Sequence, residues 1–237
     1  MDTARRFTLR PLLVPLAALV LGQPSPASAE DPKIRIVLAG DSTVTDNAGW
    51  GGAFRDLLGD DVVLCNLAKS GRSSASFRRE GLWAKVLAEK PDVILIQFGH
   101  NDSHSTKDGG KVVPAAKEYR ENLRGYIKDA RAAGARPILV SPMERRFFEP
   151  GGKVRPTLAD YARAAAAVAK ETNTPLVDLN ARSIALYESL GEKPSDDLSL
   201  DGGKDRSHFN AQGGQALARL VADELKKADP KLAPYFK

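Results

Sequence analysis

The residue types that nucleophilic catalysis needs lie in four polar clusters of this 237-residue chain. Ser42 lies in Gly-Asp-Ser after an apolar run that begins at Ile34, and Asp205 and His208 lie near the other end, three residues apart. In acyl transfer a serine hydroxyl needs a general base, which a histidine supplies and a carboxylate orients. One turn can present Asp205 and His208 to Ser42, so we predict that Ser42 is a nucleophile. Asp201 is a rival carboxylate in the same loop, and a Gly-Asp-Ser that only forms a polar turn is the structural alternative.

The other two clusters contain donors for a developing oxyanion. Gly71, within residues 68–74, would let a backbone N–H approach a ligand closely. Asn101, within Gly-His-Asn-Asp, would present a side-chain amide from the end of a second apolar run. A backbone N–H and an Asn amide together can stabilise the negative oxygen of a tetrahedral intermediate. Alternatively, Asn101 bonds its own loop and Gly71 only permits a turn.

Short apolar runs alternate with helical patterns along the chain. Such runs predict buried strands, and strands that alternate with helices predict a parallel sheet with helices on both faces. Ligands bind at the carboxyl ends of the strands of such a sheet, where three of the four clusters would lie. The predicted strands cover residues 34–39, 62–67, 93–98, 137–140 and 176–179. The predicted helices cover residues 50–59, 76–89, 114–133, 157–172, 182–190 and 210–227.

The order and spacing of the clusters resemble a known family. Four blocks look like those of the SGNH (GDSL-like) hydrolases, and the Gly-x-Ser-x-Gly of α/β-hydrolases is absent around the serine. Three variants, Gly-Asp-Ser-Thr-Val, Phe-Gly-His-Asn-Asp and Ser-His-Phe-Asn, resemble more narrowly the rhamnogalacturonan acetylesterase branch, as does the segment 144–146, Glu-Arg-Arg. The four blocks are Gly40-Asp41-Ser42, Gly71, Gly99-x-Asn101-Asp102 and Asp205-x-x-His208.

The resemblance implies a fold, an activity and roles for single residues. The fold would be a three-layer α/β/α, flavodoxin-like fold with a five-stranded parallel sheet, and the activity would be ester hydrolysis without a metal or another cofactor. Ser42 would be the nucleophile, His208 its general base and Asp205 the partner of the histidine. The oxyanion hole would consist of the Ser42 and Gly71 N–H groups and the Asn101 amide.

Three further residues are candidates for substrate contact. His100 is next to the oxyanion block, Arg72 could pair with the carboxylates of an acidic polysaccharide, and Trp50 could stack on a sugar ring. Their structural alternatives are a packing role for His100, a solvated charge for Arg72 and core burial for Trp50. The spacing of the histidines matches no closed zinc pattern, so we predict no metal site.

The N-terminal segment has the three parts of a signal peptide. Basic residues precede the apolar residues 11–21, and an Ala-Ser-Ala cleavage site ends at Ala29. We therefore expect a signal peptide over residues 1–29, one catalytic domain over residues 30–237, and a secreted or periplasmic protein. The apolar region is shorter than the roughly 20 residues that span a bilayer, so we expect no membrane attachment after cleavage.

Composition limits the classes of partner. Cys65 is the single cysteine, so the chain cannot form an internal disulfide. The net charge of +5 is a mild excess, and without a dense basic run interleaved with aromatic residues it does not indicate nucleic-acid binding. We expect a monomer that acts on an acetylated polysaccharide or oligosaccharide.

The residues and the resemblance together favour a serine acetylesterase that acts on plant cell-wall polysaccharide, rhamnogalacturonan above all, through an acyl-enzyme. One alternative is a lipase or thioesterase on the same fold, which would need a long apolar groove. The other is a carbohydrate-binding protein without turnover, whose sugar binding would survive Ser42→Ala.

Overall fold

A five-stranded parallel sheet lies at the centre of the described part of the chain. The computed structural model describes Met1 and residues 33–104 and 112–237. The strands are β1 (Ile34–Gly40), β2 (Val62–Asn66), β3 (Val93–Gln97), β4 (Arg136–Val140) and β5 (Leu176–Val177). Their order in the sheet is β2-β1-β3-β4-β5, and every neighbouring pair is parallel. This is the strand order of flavodoxin-like folds.

Helices connect the strands and cover both faces of the sheet. A π-helical segment (Ala115–Tyr119) leads into α4, and a 3₁₀ helix (Pro230–Tyr235) follows the last α-helix. The α-helices are α1 (Gly51–Arg55), α2 (Ser74–Arg79), α3 (Leu82–Ala88), α4 (Arg120–Ala132), α5 (Ala159–Glu171), α6 (Leu179–Leu190), α7 (Glu192–Asp196) and α8 (Ala211–Ala228).

The side chains of β1 alternate between two hydrophobic clusters. Ile36 and Leu38 pack with apolar residues of α1, α6 and α8. Val37 and Ala39 pack with residues of α3, α4 and α5 on the other face. Because both faces are buried, the strand is apolar at almost every position. The predicted α/β/α architecture with a five-stranded parallel sheet is therefore confirmed.

Several predicted boundaries differ from the structure because local caps intervene. The helix predicted over residues 76–89 is divided between α2 and α3, with Gly81 at φ +73° between them. The strand predicted over residues 176–179 ends at Val177, since the Asp178 side chain accepts a hydrogen bond from the Ala181 N–H and begins α6.

The residues Pro32–Lys237 form one compact unit. The signal peptide predicted for residues 1–29 lies, apart from Met1, outside the described residues and stays a prediction. Within the described ranges, no helix combines the length and the apolar character needed to cross a bilayer.

The turn after β1 passes very close to β3. A Cβ added at Gly40 would lie 2.6 Å from the Gln97 carbonyl oxygen and 2.6 Å from Val44 Cγ2. No side chain fits there, so glycine lets β1 end against β3 and turn sharply toward the carboxyl edge of the sheet.

We expect Gly40→Ala to lower the free energy of unfolding by about 1–3 kcal/mol, as overpacking of a tight core does. Denaturant unfolding followed by circular dichroism measures the change. Gly125→Ala is the matched control, because Gly125 lies within α4 and its added Cβ would approach the end of the Arg78 side chain, at 3.0 Å. Equal stability of Gly40→Ala and wild type would contradict the steric account.

Candidate active site

Ser42 lies in a tight turn just beyond the end of β1. The Asp41 carboxylate accepts hydrogen bonds from the Thr43 N–H at 2.9 Å and from Thr43 Oγ1 at 2.7 Å. These two bonds close the turn around Ser42. Asp41 is fully buried, and burial raises the pKa of its carboxyl although the bonds from Thr43 act in the opposite direction. Asp41 thus shapes the turn, and the carboxylate that His208 Nδ1 bonds is that of Asp205.

A buried chain of hydrogen bonds ties this turn to β3. Gln97 donates to Thr43 Oγ1 at 2.7 Å, and the Trp50 indole N–H donates to Gln97 Oε1 at 2.9 Å. Trp50 is 0% exposed and packs edge-on against Phe54. The prediction that Trp50 stacks on a sugar is therefore wrong, because its ring is fully covered by the core and its polar atom is already bonded.

His208 connects Ser42 with Asp205. His208 Nε2 lies 2.8 Å from Ser42 Oγ, and His208 Nδ1 lies 2.7 Å from Asp205 Oδ2. With Nδ1 protonated toward the carboxylate, Nε2 is free to accept the serine proton. The structure thus brings together Ser42, His208 and Asp205 in the arrangement that a nucleophile, a general base and its orienting carboxylate require.

The Asp205 carboxylate is held in its ionised form. Burial raises the pKa of Asp205, but hydrogen bonds from His208 and from the Ser207 N–H outweigh it and hold the pKa below its usual range. Its Oδ1 accepts the His208 N–H at 2.9 Å and the Ser207 N–H at 2.8 Å. The rival carboxylate, Asp201, instead accepts the Asp205 N–H at 2.6 Å and so supports the loop.

The donors predicted for the oxyanion hole lie on neighbouring loops. Asn101 follows β3, is 9% exposed, and its Nδ2 has no hydrogen-bond partner among the described residues. Gly71 follows β2 with φ +78°, a conformation that favours glycine. The Asn101 amide is thus available to an oxyanion, and the oxyanion hole of Ser42, Gly71 and Asn101 stays a prediction.

The Asp102 side chain links these two loops by hydrogen bonds, a role that the sequence did not predict. Its carboxylate accepts the Ser74 N–H at 3.0 and 3.1 Å and also the Ser74 hydroxyl. Ser74 begins α2, directly after the Gly71 loop. The carboxylate therefore fixes the Gly71 loop relative to Asn101. Its position after Asn101 in the Gly-x-Asn-Asp block was the only signal in the sequence.

The other two residues predicted to contact substrate are His100, which is buried, and Arg72, which forms an ion pair. His100 is 4% exposed, and neither ring nitrogen has a partner among the described residues. Burial, with the Arg145 charge, lowers the pKa of His100 well below its usual value, so the ring is neutral. Arg72 pairs with Glu80 at 2.9 Å and donates to the Ser70 carbonyl at 2.9 Å. Substrate contact by either residue stays a prediction.

A groove of about 490 Å³ begins beside the Asp205–His208 loop. Arg145, Lys204 and Arg206 line it, together with Phe147 and Asp205. Arg145 is oriented by bonds to Thr157 and Ser103, and Arg206 pairs with Asp196. Lys204 is exposed. Among the described residues, three basic side chains and one acidic side chain, Asp205, thus line the groove, which is positively charged.

Comparisons with known proteins agree with this geometry. Residues 36–216 match the model of the GDSL-like Lipase/Acylhydrolase family. The rhamnogalacturonan acetylesterase RhgT of Bacillus subtilis (strain 168) is 36% identical to this chain over 215 residues, which cover 82% of this chain and 90% of that protein. The probable rhamnogalacturonan acetylesterase YesY of the same organism is 34% identical, with 81% and 92% covered.

Solved structures show the same fold. The crystal structure of YxiM from Bacillus subtilis superposes with a TM-score of 0.73 at 30% identity, covering 85% of this chain and 58% of that one. Axe2, an acetylxylan esterase from Geobacillus stearothermophilus, superposes with a TM-score of 0.64 at 22% identity, covering 83% and 96%. At that identity, Axe2 supports the fold alone.

The raised pKa of Asp102 predicts how its carboxyl affects stability with pH. Burial raises this pKa from 3.8 to about 7. Between these values the folded protein holds a proton that the unfolded chain has lost, so the free energy of unfolding falls as pH rises through that window. Asp102→Asn does not titrate and should lose less stability between pH 4.5 and pH 8, by on the order of a few kcal/mol.

Denaturant unfolding of wild type and Asp102→Asn at both pH values measures this difference. Asp160→Asn controls for the removal of a charge, because its side chain is 75% exposed. If wild type and Asp102→Asn lose the same free energy of unfolding between pH 4.5 and pH 8, the ionisation of Asp102 does not cause the pH dependence of stability.

Proposed function

The chain belongs to the GDSL-like lipase/acylhydrolase family and is a serine esterase that acts on acetylated carbohydrate, and from this premise we propose that its substrate is acetylated rhamnogalacturonan. The reaction type is supported by two hydrogen bonds, from Ser42 Oγ to His208 Nε2 at 2.8 Å and from His208 Nδ1 to Asp205 Oδ2 at 2.7 Å. The substrate proposal is supported by the names of RhgT and YesY and by the positive groove beside the triad.

In the proposed first half-reaction, Ser42 Oγ attacks the carbonyl carbon of the acetyl ester while His208 Nε2 takes the hydroxyl proton. The carbonyl oxygen becomes negative and is stabilised by the Ser42 and Gly71 N–H groups and the Asn101 amide. The imidazolium then donates its proton to the sugar oxygen, which leaves as a hydroxyl. Asp205 stabilises the charged ring and holds its tautomer.

In the second half-reaction, a water molecule takes the place of the sugar hydroxyl. His208 removes a proton from the water as it attacks the acetyl-serine carbonyl, and the same oxyanion donors act again. Collapse of the tetrahedral intermediate breaks the bond from the acyl carbon to Ser42 Oγ, and the imidazolium returns its proton to Oγ. The product leaves as acetic acid, which ionises to acetate in solvent.

The groove distinguishes the proposed substrate from its alternatives. Rhamnogalacturonan carries a carboxylate on its uronic acid residues, and Arg145, Lys204 and Arg206 can meet such groups through charge-assisted hydrogen bonds. A neutral xylan would gain nothing from three cations. The long acyl chain of a lipase or thioesterase substrate would need apolar walls, and Phe147 is the one apolar side chain among the described residues that line this groove.

We further propose that the protein acts in the periplasm or outside the cell, as a monomer. The support for export is the signal-peptide pattern over residues 1–29. A polymeric plant substrate also places the reaction outside the cell that produces the enzyme.

The nucleophile is tested by acetate release from acetylated rhamnogalacturonan, acetylated xylan and 4-nitrophenyl acetate. We expect Ser42→Ala to lose at least about 10³-fold in kcat/KM on all three substrates, as removal of a triad nucleophile does. Wild type should act fastest on rhamnogalacturonan. Equal rates for wild type and Ser42→Ala would exclude Ser42 as the nucleophile, and a preference for octanoyl over acetyl esters would favour the lipase alternative.

The groove is tested separately with Lys204→Ala. Because an exposed ion pair contributes up to about 1 kcal/mol, we expect KM for acetylated rhamnogalacturonan to rise about 3- to 5-fold with kcat unchanged. The KM for 4-nitrophenyl acetate should stay as in wild type. Lys85→Ala, which removes an exposed charge from α3, is the matched control. A similar rise for neutral acetylated xylan would contradict carboxylate recognition by the groove.

A further inference from the structure

Arg146 is a fully buried arginine directly beneath the Asp205–His208 loop. It follows β4 and is 0% exposed. One guanidinium nitrogen donates to the Asp205 carbonyl at 2.7 Å and to the His208 carbonyl at 2.8 Å. The Arg146 backbone N–H donates to the Arg206 carbonyl at 2.9 Å. Arg146 therefore bonds to the backbone of both loop residues of the triad and to the segment between them.

This guanidinium has few other polar contacts. Its carbon lies 4.4 Å from the centre of the Phe209 ring, so the cation packs on the residue that follows His208. Nε and the second terminal nitrogen have no hydrogen-bond partner among the described residues. Burial lowers the pKa of the Arg146 guanidinium, and the nearby Tyr187 hydroxyl and Asp205 carboxylate act in the opposite direction. The two hydrogen bonds that the guanidinium donates to backbone carbonyls both go to the Asp205–His208 loop.

A buried cation that is not matched by a bonded carboxylate is costly. Desolvation of a charge disfavours the folded state, and an apolar side chain of similar volume often stabilises a protein at such a site. A methionine would also fill the space above Phe209. Core packing therefore does not explain the presence of an arginine, whereas its bonds to two carbonyls do.

The two carbonyls that Arg146 bonds differ in their other hydrogen bonds. The Asp205 carbonyl also accepts a bond from Ser199 Oγ at 2.8 Å. The His208 carbonyl has only one other donor among the described residues, the Leu200 N–H at 3.4 Å. Asp205 holds the His208 N–H and the ring, whereas Arg146 is the main donor that holds the His208 carbonyl.

We propose that Arg146 is a positioning residue that holds His208 and Asp205 in line with Ser42. It does not touch the reacting atoms, and it acts through the backbone of the two residues that orient the base. The inference rests on the proposed role of His208 as the general base. A displacement of about 1 Å in a reacting group can cost about 10²-fold in rate, which sets the size of the effect.

The test compares Arg146→Met and Arg146→Lys with wild type on 4-nitrophenyl acetate. We expect kcat to fall about 10²-fold in Arg146→Met with KM within 3-fold of wild type, since this small ester does not depend on the groove. Arg146→Lys keeps a charge and one donor group, so its kcat should lie between those of Arg146→Met and wild type. The low-field proton resonance of the His208 Nδ1–H, bonded to Asp205, should broaden or shift in Arg146→Met.

Arg131→Met is the matched control. Arg131 also donates from one nitrogen to two loop carbonyls, those of Thr172 and Asn173 at 2.9 and 3.2 Å, but its side chain is exposed and lies outside the active site. Its loss should lower the melting temperature and leave kcat within about 2-fold of wild type. All rates are measured well below each variant's melting temperature and are normalised to Ser42 titrated with an organophosphate.

A kcat of Arg146→Met within 3-fold of wild type, or an unchanged low-field resonance, would overturn the inference. Equal losses of kcat in Arg146→Met and Arg131→Met would do so as well, because they would show a general effect of lost stability. Ser42→Ala is measured beside them. If Ser42→Ala loses activity and Arg146→Met does not, the positioning role alone fails. If Ser42→Ala keeps its activity, the proposed mechanism fails and the positioning role fails with it.

Discussion

The active site depends on one hydrogen bond, 2.8 Å between Ser42 Oγ and His208 Nε2, that joins residues 166 positions apart. Neither side chain sets this distance alone. Ser42 is placed by β1 and by a turn bonded to Gln97 of β3, while His208 is placed by a loop before α8. Proton transfer tolerates errors of only a few tenths of an ångström. Both supports must therefore be rigid, and the surrounding structure reflects that requirement.

Buried polar groups supply much of this rigidity, at a cost in stability. Asp41, Gln97, Asp102 and Arg146 are each almost fully covered, and they lie beneath or beside the carboxyl edge of the sheet. Each holds a turn or loop that carries a proposed catalytic group. Apolar residues would pack there without desolvation of charge. These residues therefore lower the stability of the fold locally, and in return they orient the reacting groups.

Neither the fold nor the triad determines the substrate, which depends on the loops around the site. Axe2 has the same fold at 22% identity and is named an acetylxylan esterase, whereas the relatives with the fuller sequence match are named for rhamnogalacturonan. In this chain the loops beyond β4 and before α8 contribute Arg145, Lys204 and Arg206 to one groove. Specificity on a shared fold resides in such loop-borne groups rather than in the sheet.

The sequence by itself determined the strands and the candidates for the reacting groups. Apolar runs predicted all five strands to within a few residues, because a strand buried on both faces must be apolar throughout. The spacing of Asp205 and His208 predicted that one turn presents both side chains to Ser42, and the family resemblance predicted their pairing. The tertiary structure decided what depends on partners far away in the chain. Trp50 proved to be core because Gln97 and Phe54 enclose it. Asp102 and Arg146 acquired their roles from Ser74, 28 residues away, and from carbonyls 59 and 62 residues away. Contacts of that kind leave no periodic pattern in the sequence, because only the folded sheet brings their two ends together.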